Sequence, residues 1–312
     1  DWVWIKHRTD THDHNAYDAV RGVTKMITPN ENYAESTVAA SLTSFDSDGF
    51  TLGNVARSNA SGGSLVSWNW KAGGGQGSSN TDGSINTTYT SVNTTAGFSI
   101  STYTGTGSNA TVGHGLGAVP KVVLVKGLGH TSQWYMYHVG TGANGVMLLD
   151  NNAAKTTDTV SWQNTTPTSS VFSIGNDGGT NGSGNTYVVY CFAEKTGYSK
   201  FGSYTGNGNT NGVFVYTGFK PAFVLTKYAF SGGTGNWMLY DSKRGYNQDR
   251  KFFHPNSADA ESSSTHKVDL LSNGFKWRAN SSETNTNGGT YIYMAFAEAP
   301  LVGSNNVPAT AR

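Results

Sequence analysis

Charged side chains are scarce in this sequence: Asp, Glu, Lys and Arg make up 13% of 312 residues, whereas soluble globular domains usually carry about 25%. The few charges are scattered, the net charge is +1 and no basic run occurs. The sequence therefore lacks the basic patch that is typical of a nucleic-acid-binding protein. No apolar run approaches the roughly 20 residues of a membrane-spanning helix, and no membrane insertion is expected. Aromatic residues reach 12%, which argues against disorder and favours short strands joined by polar turns.

Cysteine occurs once, as Cys191, so no disulfide can form within the chain. It lies in an apolar run over 187–192, and free cysteine in such a setting is commonly a small buried hydrophobe. No base accompanies it in the sequence to activate it as a nucleophile. We therefore expect Cys191 to have a structural role.

A sustained helical pattern of apolar residues is also missing. The best candidate is a helix of two or three turns over 32–41, in a connecting loop. By contrast, the stretch 291–298 is largely apolar on both faces, which predicts a strand covered on both sides. Asp-Gly at 48–49 and Asn-Gly at 273–274 mark tight turns. The expected fold class is all-β, with tandem antiparallel β-sandwich modules of lectin or jelly-roll type.

Four sequence blocks recur in one order along the chain, which indicates internal repetition. They lie at 1–6, 120–126 and 221–227 (first block), 14–22, 134–138 and 237–245 (second), 47–50 and 272–275 with Phe172 (third), and 65–72, 187–194 and 291–298 (fourth). One more block, at 98–105 and 201–206, opens the two later copies and is missing from the first. A spacing of about 100 residues fits a small sandwich domain better than a solenoid unit.

The blocks divide the chain into three copies and two connecting or terminal stretches. The division predicts a partial β module over 1–72, a flexible Gly/Ser/Asn/Thr linker over 73–96, β-sandwich modules over 97–196 and 197–300, and a polar C-terminal tail over 301–312. The first module is expected to lack its opening strands, and each module is expected to close a two-sheet core of its own.

Candidate binding and structural residues are few. Three histidines and two aspartates over 7–14 are residue types that bind divalent metals, but the other copies have no equivalent ligands. We therefore predict a solvated loop there, with no metal and no other cofactor. Asp18 and Arg21 recur as Asp241 and Arg244, a spacing that predicts a structural ion pair or a turn hydrogen bond.

Signatures of catalysis are missing. Glycoside hydrolysis needs two carboxylates at a set separation, and no copy carries a second recurring acid beside the first. A Gly-x-Ser-x-Gly elbow is absent, and no helix follows the glycine-rich stretch 105–117 to make it a phosphate loop. We predict a protein that is not an enzyme. His12, His130 and Phe230 lie in comparable loops and are the candidate contacts to a receptor or glycan.

Several of these stretches resemble a domain of unknown function that is common in structural proteins of marine tailed bacteriophages. The resemblance is carried by 3–6, 17–22, 42–53, 68–74, 297–300 and 308–312. It implies a virion component, often a tail fibre or other appendage, with no established catalytic residues. In that family the strand at 3–6 follows a Gly-Phe-x-Pro-Asp turn and an earlier strand. Both are missing here, which leads us to expect the carboxy-terminal part of a longer polypeptide, or else a strand lent by another chain.

The leading hypothesis is a phage tail fibre or receptor-binding appendage, located in the virion, that displays loops to a host surface glycan or protein. Expected partners are copies of itself in a homo-oligomer and other virion proteins. The alternative is a capsid decoration or filament-forming subunit with no receptor role, held together by strand addition or by docking of the open first module. A carbohydrate-active enzyme is the third hypothesis.

Overall fold

The computed structural model of the chain describes residues 1–229, 233–247, 249–263 and 266–298. Phe230 and the tail over 301–312 lie outside the described residues. Within the described part, the predicted all-β class is confirmed: 24 strands pair antiparallel, and α1 (Ala56–Asn59) and α2 (Gly178–Asn181) are single-turn helices. No helix in this part is long and apolar enough to span a membrane.

The first segment, over 1–72, contains seven strands. They are β1 (Trp2–His7), β2 (Asn15–Asp18), β3 (Lys25–Met26), β4 (Ser36–Thr37), β5 (Leu42–Phe45), β6 (Phe50–Leu52) and β7 (Leu65–Trp70). β1 lies between β2 and β7 in a three-stranded sheet, while β3 pairs with β4 and β5 pairs with β6.

The helix predicted over 32–41 is wrong. This stretch contains β4, whose Thr37 pairs with Lys25 of β3, and a turn at 39–40. Lys25 Nζ also donates a hydrogen bond to Thr37 Oγ1 at 2.9 Å, and Val38 packs against the small core of the first segment. Pairing with a neighbouring strand and side-chain packing outweigh the weak local helix preference of the alanines.

The second segment contains nine strands in two sheets. They are β8 (Tyr89–Asn93), β9 (Phe98–Thr104), β10 (Ala110–Gly113), β11 (Pro120–Gly127), β12 (Trp134–His138), β13 (Gly145–Leu148), β14 (Thr156–Thr157), β15 (Val171–Ile174) and β16 (Thr186–Ala193). The seven-stranded sheet has the order β14-β13-β12-β11-β16-β9-β8, and β10 pairs with β15.

The stretch 73–96, expected to be a flexible linker, contains a strand. β8 adds to the edge of the large sheet through five residue pairs with β9. Its polar side chains find partners there, since Thr90 Oγ1 lies 2.9 Å from Ser101 Oγ and 2.8 Å from Thr87 Oγ1. Composition predicted flexibility because Thr and Ser are polar, but a satisfied hydroxyl ladder supports a strand equally well.

The third segment contains eight strands. They are β17 (Ser199–Thr205), β18 (Phe214–Tyr216), β19 (Pro221–Tyr228), β20 (Met238–Asp241), β21 (Phe252–Phe253), β22 (Val268–Leu271), β23 (Gly274–Trp277) and β24 (Thr290–Ala297). The large sheet has the order β17-β24-β19-β20-β21 and the small one β18-β23-β22. Strands β1, β11 and β19 therefore have corresponding neighbours in the three segments: β2, β12 and β20 on one side, β7, β16 and β24 on the other.

The three large sheets share one hydrophobic core. Trp2 stacks on Tyr190 of the second segment at 4.5 Å between ring centroids, and Trp70 meets Phe223 of the third at 5.3 Å. The remaining cavity at this centre measures about 10 Å³. The side chains therefore fill the core densely, as atoms do in crystals of small organic molecules. The other face of each large sheet is covered by its own smaller hairpin or sheet, giving three further cores. Each segment thus closes a core of its own on one face and depends on the other two segments on the opposite face.

Polar contacts between segments run in a ring. The Trp134 indole of the second segment donates to Thr28 O of the first at 2.9 Å, and the Trp237 indole of the third donates to Leu148 O of the second at 2.8 Å. The ring closes where Glu261 N of the third segment donates to Arg8 O of the first at 2.8 Å. Every segment therefore contacts both of the others.

Three lysines are fully buried at corresponding positions, next to last in β1, β11 and β19: Lys6, Lys126 and Lys227. Lys126 Nζ donates to Asn32 O of the first segment at 3.3 Å, and Lys227 Nζ donates to Asn152 O of the second at 3.2 Å. Burial lowers the pKa of each lysine to about 8, because removal from water penalises the charged form. Lys126 and Lys227 thus connect neighbouring segments through backbone carbonyl oxygens, whereas Lys6 donates to His7 O of its own segment.

Replacing Lys126 with methionine should change how stability depends on pH. Since the pKa of Lys126 is about 8 in the folded chain against 10.5 ordinarily, the unfolded chain binds more protons between these values. The contribution of Lys126 to the free energy of unfolding therefore increases as pH rises through this window. Relative to Lys126→Met, the wild type should gain roughly 1.5 kcal/mol from about pH 8 to about pH 9.5, measured by chemical denaturation.

Lys220→Met is the matched control, because Lys220 is exposed. Its difference from the wild type should be the same at both pH values. If the Lys126→Met and wild-type curves instead ran parallel with pH, Lys126 would not be buried as a protonatable amine.

Candidate functional site

An open groove lies in the first segment between the sheet β2-β1-β7 and the β5–β6 hairpin. Its volume is about 700 Å³, and its walls include Val3, Phe45, Asp48, Phe50, Asn69 and Trp70. The groove combines aromatic and aliphatic residues with charged residues of both signs, since Asp46 and Lys71 also line it.

Two strands that precede β11 and β19 in the other segments have no counterpart among the described residues of the first segment, where β1 is the first strand. β16 is paired on both edges, by β11 and β9, and β24 by β19 and β17. Within the described residues, β7 pairs with β1 alone, so one edge of β7 is open. In the same way, β10 and β18 pair with β15 and β23, whereas β6 pairs only with β5 in this part of the chain.

The missing strands change the burial of corresponding residues. Phe172 and Phe275 are 1% and 0% exposed, while Phe50 in the same sequence block is only half-buried. β16 is buried from Tyr187 to Ala193, whereas β7 has partly exposed residues over 65–67 and an exposed Asn69. The first segment therefore presents unpaired backbone and apolar side chains at one place. An exposed row of backbone N–H and C=O groups is a template for another strand.

His12 lies in the loop between β1 and β2, half-buried, with its ring 5.1 Å from that of His7. Some of the other polar groups of this loop have protein partners, although His14 Nε2 has none among the described residues. Trp4 Nε1 donates to His14 Nδ1 at 2.9 Å, and Asn30 Nδ2 donates to Asp13 Oδ1 at 2.8 Å. Burial lowers the pKa of His14 well below its ordinary value, which keeps the ring neutral as an acceptor. The described residues contain no group of His, Cys, Asp and Glu placed to hold a metal ion.

His130 lies in the corresponding loop after β11, and its ring packs edge-on against Tyr187 at 5.6 Å. Both ring nitrogens are shielded from solvent and have no hydrogen-bond partner among the described residues. The residue lines a second groove of about 390 Å³ together with Asn32, Ser132, Tyr135 and Asn185. His12 and His130 thus lie in different loops with different surroundings. The third sequence candidate, Phe230, lies outside the described residues.

Asp18 and Arg21 form a buried ion pair, with Arg21 Nε 2.5 Å from Asp18 Oδ2. Tyr190 of the second segment donates its hydroxyl to the same carboxylate at 2.6 Å, and Glu35 lies 2.9 Å from Arg21 Nη1. The pair therefore links two segments. Tyr190 and Glu35 carry no sequence signal for this role because both are distant from Asp18 along the chain.

Asp241 and Arg244 form the corresponding pair in the third segment, at 2.6 Å. The Trp68 indole of the first segment donates to Asp241 Oδ2 at 3.1 Å, and Glu261 receives both Arg244 Nη1 and the guanidinium of Arg8. Burial alone would raise the pKa of Glu261, but the hydrogen bonds from Arg8 and Arg244 lower it below its ordinary value. These acidic and basic side chains are paired with one another and have a structural role.

Cys191 is buried at the centre of β16. Burial raises the pKa of the Cys191 thiol because a thiolate would lose its hydration there. A thiol in that state is not a nucleophile, in agreement with the structural role expected from the sequence.

The fold and the groove together show which class of protein this is. It is an all-β protein with three large sheets around one core and, among the described residues, one unpaired edge in the sheet of its first segment. The chain belongs to the family described as Domain of unknown function (DUF7483), whose model matches residues 1–300. No curated protein and no solved structure matches it.

Arg244→Met should destabilise the protein by about 3–5 kcal/mol, because it leaves the carboxylates of Asp241 and Glu261 buried without their cation. Lys243→Met is the matched control: Lys243 neighbours Arg244 in sequence, but its ion pair with Glu298 is exposed. That change should cost at most about 1 kcal/mol. Urea denaturation at pH 7 measures both, and equal effects of the two variants would contradict the structural role of the buried pair.

Proposed function

We propose that this protein is a non-enzymatic structural component of a bacteriophage virion, a tail fibre or receptor-binding appendage that displays loops to the host surface. Two features support the proposal. The blocks over 3–6, 17–22, 42–53 and 68–74 resemble phage structural proteins. The three large sheets also pack around one common core, an arrangement suited to rigid display of the loops.

The observation that carries the receptor role is the groove beside His130. Buried polar atoms in folded proteins nearly always have a partner, and the two ring nitrogens of His130 have none among the described residues. Because both nitrogens are shielded from solvent, the proposal requires the ring to turn toward the groove when a ligand supplies that partner. The groove also offers the side-chain groups of Asn32, Ser132 and Asn185, and the phenol ring of Tyr135. Hydroxyl, amide and imidazole groups beside an aromatic ring match the hydroxyls and apolar faces of a sugar.

The virion location is tested on particles. Purified virions of a phage that encodes this chain should contain it as a structural protein, detected by mass spectrometry and located by immunogold electron microscopy. Its absence from purified particles, with the chain present in infected cells, would contradict the virion role.

The receptor role is tested with the labelled full chain on a panel of bacterial lipopolysaccharides and capsular polysaccharides. For any polysaccharide that binds the wild-type chain, His130→Ala should weaken binding by about ten-fold, because the site loses the imidazole that forms a hydrogen bond with the sugar. Thr157→Ala is the control, because Thr157 is exposed on β14 of the same segment. Binding that is unchanged by His130→Ala, or no binding to any member of the panel, would argue against the receptor role.

A subunit with an assembly role and no receptor is the second candidate, as a capsid decoration or filament component. The open edge of β7 favours it, because exposed sheet edges in folded proteins are usually covered, charged or shortened. An edge left open beside an apolar groove is a natural point of attachment between polypeptides.

A further inference from the structure

A groove of about 440 Å³ lies in the third segment, beside the loop that joins β20 to β21. Three cations line it: Lys220, which directly precedes β19, and Lys243 and Arg250 of the loop. None of the described residues that line it is acidic. We call it the basic groove, because it gathers positive charge in a chain whose net charge is only +1.

Arg250 is the buried cation of the basic groove, with 8% of its surface exposed. Its Nη1 donates to the backbone oxygens of Asp241 at 3.1 Å and Gly245 at 3.3 Å, and its Nη2 donates to Asn247 Oδ1 at 2.9 Å. Its Nε is shielded from solvent and has no partner among the described residues. The guanidinium therefore contacts neutral oxygens and keeps its full positive charge.

No carboxylate of the described residues forms an ion pair with Arg250. Asp241 and Asp269 act on it from a distance, but they pair with Arg244 and Arg278 instead. Burial lowers the pKa of Arg250 although these two carboxylates act to raise it. A buried charge without a paired counter-charge is costly, and an anion bound in the groove would supply that charge.

The two lysines of the basic groove are accessible to a ligand. Lys220 is exposed and has no hydrogen bond or ion pair within the described part of the chain. Lys243 pairs with Glu298, but both side chains are mostly exposed, so this contact is weak. Glu298 and Asp249, the acids nearest to Lys243 and Arg250 by contact or sequence, do not line the groove.

Comparison with the second segment shows that the fold does not require these charges. Strand pairing aligns the two segments at Asp241 and His138. In this alignment, the second segment has Val119, Gly140 and Ala143 where the third has Lys220, Lys243 and Tyr246. The same sheet forms without the two lysines and the tyrosine, which leaves them available for binding.

The neutral residues of the basic groove suit a sugar. Tyr246 is 83% exposed, and its ring can stack on the apolar face of a pyranose. Ser242 and Asn247 add a hydroxyl and an amide for sugar hydroxyls. Leu270 N donates to Asn247 Oδ1 at 3.0 Å, which fixes the loop to β22. Three cations at one place are too few for the extended basic surface that follows a nucleic-acid backbone.

We infer that the basic groove binds an acidic glycan, whose anionic group is attracted by Lys220, Lys243 and Arg250 while a sugar ring packs on Tyr246. The site is separate from the groove beside His130, which lies in the second segment and has no Lys, Arg, Asp or Glu in its lining. The inference therefore goes beyond the proposed receptor groove and does not depend on its outcome.

Two matched pairs of probes test the charge requirement on the full chain by isothermal titration calorimetry. Trigalacturonate is compared with its methyl ester, and 6-sulfated maltotriose with maltotriose, so each pair differs only in the anionic group. At least one charged probe should bind about ten-fold more tightly than its neutral partner, and the better of the two shows whether a carboxylate or a sulfate fits. Raising sodium chloride from about 20 to about 200 mM should weaken that binding, because salt screens exposed charges.

Variants of the exposed lysines test the location. Lys220→Met and Lys243→Met should each weaken binding of the charged probe by about five-fold, since each removes one attractive charge from the groove. Lys71→Met is the matched control: Lys71 is exposed, it lies in the first segment and the change in net charge is the same. Its binding should equal that of the wild type, and so should that of His130→Ala.

Three results would overturn the inference. The first is equal affinity, or no binding, for the charged and neutral members of both pairs. The second is binding that Lys71→Met weakens as much as Lys220→Met and Lys243→Met do, which would show a non-specific charge effect. The third is tighter binding of a short single-stranded DNA than of either charged sugar, lost in the same two lysine variants, which would assign the groove to nucleic acid.

Discussion

The burial of aromatic side chains from three sheets in one core is the constraint on which the rest of this structure depends. Trp2, Trp70, Phe192, Phe223 and Phe296 come from all three segments and contact one another at its centre. Such rings bury large apolar areas and dominate the energetics of a core. No segment can expose that face to water without losing most of this gain, so the three sheets must remain together.

A shared core forces polar groups at its borders to find partners within the protein. Lys6, Lys126 and Lys227 end up out of water and donate to backbone carbonyls, two of them across a segment border. The carboxylates of Asp18 and Asp241 are each satisfied by an arginine of their own segment and by an aromatic donor of a neighbour. Ion pairs of this kind add little net stability compared with apolar packing, but they are costly to break and help to specify one arrangement of the segments.

The first segment differs from the other two on the side that faces away from the common core. Its sheet contributes four tryptophans to the common core and is held firmly on that side. On its other side, the strands that would complete it have no counterpart among the described residues, and a groove is left.

Local patterns in the sequence determined the fold class, the positions of the principal strands and the pairing of Asp18 with Arg21, since alternation, turn dipeptides and short spacing act between near neighbours. They failed at 32–41 and over 89–93, where pairing with a neighbouring strand decided the conformation. Only the tertiary structure decided that three faces close on a single core and that Tyr190 and Trp68 complete ion pairs of other segments. The physical reason is that these contacts join residues far apart in the chain, whose meeting depends on how whole sheets pack and leaves no periodic mark in the sequence.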